Sequence, residues 1–144
     1  MIVYLDAGAI VKLYVMESGS DQVQQLIKQA DSVGTALISR AEVVAALAKA
    51  VRTAVLDESQ AKDAVQLFRS HWPDYARVQL TETTIGRADM LAWSHGLRGY
   101  DAVHLASALV WQETLGEPVL LATFDRQLHQ AGGLIGLETW PKIL

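Results

Sequence analysis

A chain of 144 residues with 51% hydrophobic and 19% charged side chains and only 3 prolines cannot be disordered, collagenous or mostly linker, and predicts one globular domain spanning residues 1–144. The absence of cysteine removes disulfide frameworks, thiolate metal sites and cysteine nucleophiles, and the 4 histidines form no paired ligand motif that would argue for zinc. A net charge of −4 supplies no global positive field to draw the chain onto nucleic acid, so the placement of the acids matters more than their sum.

In chain order, residues 2–5 read as a short buried strand and residues 9–14 as an apolar helical stretch. Ser18-Gly19-Ser20-Asp21 then breaks the chain and caps a helix to about residue 30, with Val23, Leu26 and Ile27 on one face. Residues 35–38 predict a second strand, and Ser39 opens a long Ala- and Val-rich helix to about residue 55. Asp57-Glu58-Ser59-Gln60 starts an amphipathic helix whose Ala61, Ala64, Val65 and Phe68 keep helical spacing until Pro73 stops it. A strand at residues 77–80 precedes a helix at 81–95, which Gly96 is placed to end. Residues 101–114 are helical and apolar on one side, 119–122 form an almost wholly apolar strand, 125–131 a short helix and 134–137 a candidate edge strand.

Short, fully apolar strands alternating with helices are the pattern of a sheet covered on both faces. The expected architecture is an α/β fold, a three-layer α/β/α sandwich with a short-stranded, mostly parallel sheet, in which the stretch 55–72 projects as a small helical appendage. No apolar run approaches the roughly 18 residues of a membrane span, and Met1-Ile2-Val3-Tyr4-Leu5-Asp6 has no basic leader, so a cytoplasmic protein without a membrane partner is expected.

Four carboxylates share one structural address. Asp6 follows the first strand, Glu42 lies in the first turn after the second, Asp101 begins the 101–114 helix and Asp125 follows the 119–122 strand. In an open parallel sheet the carboxyl ends of the strands form one edge, where ligands bind. Each acid also has a bland reading. Asp6, Asp101 and Asp125 are good helix caps, and Ser39-Arg40-Ala41-Glu42 spells a capping box. Caps alone do not require four elements to deliver acids to one edge, and two carboxylates ~5 Å apart repel by about 3 kcal/mol at an effective dielectric near 20. A hard divalent cation, Mg²⁺ or Mn²⁺, would neutralise such a cluster and prefers oxygen ligands.

The blocks Val3-Tyr4-Leu5-Asp6-Ala7-Gly8, Ser39-Arg40-Ala41-Glu42-Val43, Tyr100-Asp101-Ala102-Val103-His104-Leu105-Ala106 and Ala122-Thr123-Phe124-Asp125-Arg126, in this order and spacing, resemble those of PIN-domain ribonucleases, and among them the VapC-type toxins of toxin–antitoxin pairs. The resemblance implies a parallel-sheet α/β/α fold, Mg²⁺- or Mn²⁺-dependent endoribonuclease activity on RNA leaving a 5′-phosphate and a 3′-hydroxyl, a cognate antitoxin and a homodimer. It assigns the acidic metal-site and catalytic roles to Asp6, Glu42, Asp101 and Asp125. Many members carry Ser or Thr two residues after the first Asp, where this chain has Gly8; Thr123 matches a family hydroxyl position and is the supporting residue.

For substrate phosphates the nearest cations in sequence are Arg126 and Arg98, then Arg40 and Lys12, each of which an ordinary surface ion pair would equally explain. With the four acids set aside, the remaining acids equal the 12 bases, so RNA recognition is expected to rest on shape and accessible single-stranded bases. Trp72, Trp93, Trp111 and Trp140 are expected to pack in the core or between subunits rather than stack on bases, and Val43, Val44, Leu47, Val51 and Val55 likewise. Two other readings stay open. A haloacid-dehalogenase-like Mg²⁺ phosphohydrolase also places an Asp after its first strand but wants a second Asp where Gly8 stands, and an idle protein-binding module would use the acids only as caps.

Overall fold

A computed structural model describes all 144 residues. The chain runs through β1 (Ile2–Leu5), α1 (Ala7–Val11), α2 (Ser20–Gln29), β2 (Ser32–Ala36), α3 (Ser39–Arg52), α4 (Glu58–His71), β3 (Ala76–Val78), α5 (Glu82–His95), α6 (Gly99–Leu115), β4 (Val119–Ala122), α7 (Arg126–Leu134) and β5 (Glu138–Trp140). The five strands form one all-parallel sheet in the order β3-β2-β1-β4-β5. Because β1 lies at the centre, its side chains are buried on both faces: Val3 and Leu5 join the core beneath α1 to α4, while Tyr4 joins the core beneath α5 to α7. This is the expected three-layer sandwich.

Two strands sit away from their expected positions. β2 starts at Ser32, since Ser32 and Val33 pair with Ile2 and Val3 although Ser32-Val33-Gly34 carries little apolar signal. Gly34 is there for space: a Cβ would lie 2.5 Å from the Trp111 ring, so a side chain would lift α6 off the sheet. At the other edge α7 runs to Leu134 and Gly136, at φ +90°, turns the chain, which moves β5 to Glu138–Trp140 and leaves Leu137 as a core residue ahead of it.

The stretch expected to project does not. α4 buries Ala61, Ala64 and Phe68 in the core that also holds Val3, Leu5 and Leu47, so its apolar face belongs to the main body. It starts where expected, at a capping box in which Asp57 and Gln60 each bond the other's backbone N–H at 2.8 and 3.0 Å. Gly96 likewise ends α5 in the left-handed conformation, φ +62°, which favours glycine. No helix is long and apolar enough to cross a membrane.

The strand order places the functional edge. From β1 the chain moves outward through β2 and β3, then crosses back to β4 and β5 on the other side. The topology therefore reverses between β1 and β4, and the crevice outside their carboxyl ends is where such sheets bind ligands. Asp6 leaves β1 and Thr123 leaves β4 at that point, joined by the Asp6 N–H to Ala122 carbonyl bond of 3.3 Å.

Candidate active site

Asp6 is the N-cap of α1, and one carboxylate oxygen accepts from the Ala9 N–H at 2.8 Å. Its other oxygen receives the Thr123 hydroxyl. The same hydroxyl oxygen accepts from the Asp125 N–H at 3.1 Å, and Asp125 caps α7 by accepting from the Leu128 N–H at 2.9 Å. Capping and site membership are therefore not alternatives here. In both aspartates one oxygen starts a helix, and the second faces the neighbouring element.

Asp101 does not cap α6. It lies in the first turn, behind an N-cap at Arg98 that makes no side-chain cap bond. The Arg98 guanidinium instead bridges two acids, with Nε donating to Asp101 at 2.9 Å and a terminal nitrogen to Asp125 at 3.3 Å. Its side chain is 74% exposed, so these ion pairs add little stability. Their value is locational: acids from α6 and from the end of β4 stand within reach of one cation.

Glu42 corrects the sequence reading. The capping box is not formed, because α3 begins at Ser39 behind an Ile38 N-cap. Ser39 is fully buried and its hydroxyl pairs with that of Thr35 at 2.6 Å, while Thr35 also donates to the Leu5 carbonyl at 2.7 Å. Glu42 is left free to reach across to α6, where it meets His104 Nε2 at 2.8 Å. His104 Nδ1 in turn meets the Tyr4 hydroxyl at 2.9 Å. Sequence reasoning passed over Tyr4 and His104. The signal available was spacing, since His104 lies three residues after Asp101 and hence on the same helix face.

Burial dominates the electrostatics of Asp6. Burial pushes the Asp6 carboxyl above the usual aspartate range and the Asp101 charge adds to the rise, although the nearby His104 and the Thr123 and Ala9 hydrogen bonds oppose it. No three acidic or imidazole groups stand gathered as a ready-made cage. Mg²⁺ does not need one, because it commonly keeps several waters and uses one or two carboxylates. The donors are all oxygen: Arg98 stands between Asp101 and Asp125, and Asp6 is tied to Asp125 through Thr123, so a hard divalent cation suits the chemistry of the set.

The supporting residues divide. Thr123 is fully buried and ties acid to acid, out of reach of a phosphate, while a Cβ at Gly8 would meet Asp6 at 3.7 Å, so the missing side chain would have stood beside that acid. Lys12 is committed elsewhere: Nζ donates to Glu17 at 3.0 Å and to the Ser18 carbonyl at 2.7 Å and lies over the Phe124 ring. These contacts are the ion-pair alternative given for it. Arg126 and Arg40 are exposed and make no ion pair. Trp72 is buried as expected, but Trp93 is 91% exposed on α5 and is no core residue of this chain. A groove of about 610 Å³ lined by Tyr14, Ile27, Leu67 and His71 lies apart from the acids and contains none of them.

The model of the PIN domain family matches residues 3–134. The chain is 40% identical over 141 residues to Ribonuclease VapC45 of Mycobacterium tuberculosis, covering 97% of this chain and 95% of that protein. It is 32% identical over 132 residues to Ribonuclease VapC3 of Pyrobaculum aerophilum, covering 90% and 94% respectively. The solved structure of VapBC2 from Rickettsia felis, bound to a DNA fragment from its promoter, aligns with a TM-score of 0.65 at 16% identity over 97% of this chain and 99% of that one, a likeness of fold.

Proposed function

The chain belongs to the PIN-domain family, and from that membership we propose that it is a divalent-metal-dependent endoribonuclease, the toxin of a type II toxin–antitoxin pair. The observation that carries the reading is the linkage of acids at the sheet's switch point: Asp6 to Asp125 through Thr123, and Asp125 to Asp101 through Arg98. The ribonuclease names of its relatives and the likeness to a VapBC toxin–antitoxin complex support RNA as substrate and a small antitoxin as partner. A homodimer of the PIN-like domain, residues 1–144, completes the proposal. The phosphohydrolase reading lacks its second Asp, since that position is Gly8.

Bound Mg²⁺ or Mn²⁺ supplies an activated water and offsets the charge of the scissile phosphate. Asp6, Asp101 and Asp125 hold the ion, directly or through water. Glu42, anchored on one oxygen by His104, takes the proton of the attacking water with the other. With a cation between Asp101 and Asp125, the Arg98 guanidinium would be free to pair with a phosphate oxygen, beside the exposed Arg126. Hydrolysis then leaves a 5′-phosphate and a 3′-hydroxyl.

Partner-free protein stripped with chelator is expected to leave a single-stranded RNA intact and to cut it once Mg²⁺ or Mn²⁺ is restored. Cutting that persists in excess chelator would overturn the metal assignment.

A further inference from the structure

We propose that Tyr4 and His104 form a buried positioning relay that holds one oxygen of Glu42 and so dedicates the other to the attacking water. The inference rests on the nuclease reading above, but it concerns residues that reading does not use. Tyr4 is fully buried and His104 is 2% exposed, whereas the Glu42 side chain is 23% exposed. The relay therefore runs from the interior, at β1, through α6 to a carboxylate that solvent reaches on α3.

The chemistry fixes its direction. A carboxylate has no proton to give, so Nε2 is the donor in the 2.8 Å contact with Glu42. The other ring nitrogen, Nδ1, meets the Tyr4 hydroxyl at 2.9 Å, a contact the relay reads as phenol donating to ring. Both ring nitrogens are thus occupied, and the Tyr4 ring stands edge-on to the imidazole with centroids 6.0 Å apart. Each of the three groups is held by its neighbour. Burial keeps the Tyr4 phenol protonated far above its usual range, which suits a permanent donor at the inner end.

Comparison with the other acids shows what the relay does. Asp6 has both oxygens engaged, by Ala9 and Thr123, Asp125 has both engaged, by Leu128 and Arg98, and Asp101 is held on one oxygen, but by an exposed guanidinium. Glu42 is anchored on a single oxygen by a group from the interior, and its second oxygen makes no protein hydrogen bond. Such a carboxylate is fixed in direction yet free to accept, which is what a water-orienting base needs. His104 is accordingly a positioning residue, acting through Glu42 and touching no substrate.

The test pairs kinetics with spectroscopy. His104→Asn removes the donor at the Nε2 position, and His104→Gln restores one there through its longer amide. With outer-shell partners typically worth 10–100-fold, His104→Asn is expected to lower kcat for RNA cleavage by about that factor with KM changed less than about twofold, and His104→Gln to recover to within about fivefold of the parent. Independently, imidazole ¹⁵N shifts of the metal-free parent at neutral pH should show His104 protonated at Nε2 and bare at Nδ1. Equal losses in Asn and Gln, an unaffected Asn variant, or a ring protonated at Nδ1 alone would overturn the relay. The ¹⁵N result decides the matter even if the variants do not fold. A parent that fails to cut RNA would sink the nuclease reading and leave the tautomer measurement standing, whereas a cutting parent with the wrong tautomer sinks the relay alone.

Discussion

Asp6→Asn is expected to lower RNA cleavage by about 10³-fold, equivalent to about 4 kcal/mol of lost transition-state stabilisation, while making the metal-free protein more stable at neutral pH. The two effects share one cause. Asp6 is 7% exposed, and burial raises its carboxyl above the ordinary aspartate range. A group whose folded pKa is raised binds more protons folded than unfolded in the window between the two values, so stability falls as pH rises through that window. Above that window the native state carries the cost of a buried charge, and asparagine removes it. The amide keeps an oxygen for the Ala9 N–H, and the Thr123 hydroxyl can turn to accept from the amide nitrogen. Thermal unfolding in chelator should therefore give the variant the higher midpoint. Added Mn²⁺ should reverse the order by stabilising the parent more, since only a bound ligand shifts the equilibrium. An Asp6→Asn protein less stable than its parent in chelator, or one that still cuts RNA, would contradict this account.

Phe68→Ala should cost about 3–5 kcal/mol, a large share of the 5–15 kcal/mol that holds an ordinary domain together. Phe68 is fully buried on α4, edge-on to Tyr14 at 5.4 Å between centroids and to Trp72 at 5.6 Å. These rings fill the space between α4 and the α1 end of the sheet, and truncation leaves a cavity that its two aromatic neighbours cannot collapse. Urea unfolding of this variant beside Leu67→Ala, whose side chain is half exposed, separates core from surface. Equal, small losses at both positions would return α4 to the role of an appendage.

What could be read in advance follows from how locally each feature is encoded. β4 stands where its run of apolar residues puts it, because a strand buried on both faces carries its own signal. β2 does not, because Ser32, Val33 and Gly34 are strand only through their register with β1, and Gly34 is selected by the Trp111 ring of a helix far along the chain. The same contrast separates two capping boxes: Asp57 has no competitor and forms its box, whereas Ser39 is captured by buried Thr35, which releases Glu42. That Asp6 and Asp125 leave the sheet at one edge was legible because parallel topology sends every strand's carboxyl end the same way. Their links were not. Arg98 lies three residues before Asp101, a spacing the sequence carries, but its second acid is 27 residues away and His104 reaches a glutamate 62 residues distant, and those two partnerships leave no mark on local sequence. Trp93 is exposed on this chain, which leaves only the subunit half of its expectation, since helical spacing alone does not say which face meets a neighbour.

The most direct test is crystallographic: crystals of active protein grown with Mn²⁺, with diffraction recorded at the manganese absorption edge. The account predicts an anomalous peak bounded by the Asp6, Asp101 and Asp125 carboxylates, with the Arg98 guanidinium drawn away from the two acids it bridges in the absence of metal. Manganese bound only at other surfaces, with Arg98 still seated between Asp101 and Asp125, would contradict it.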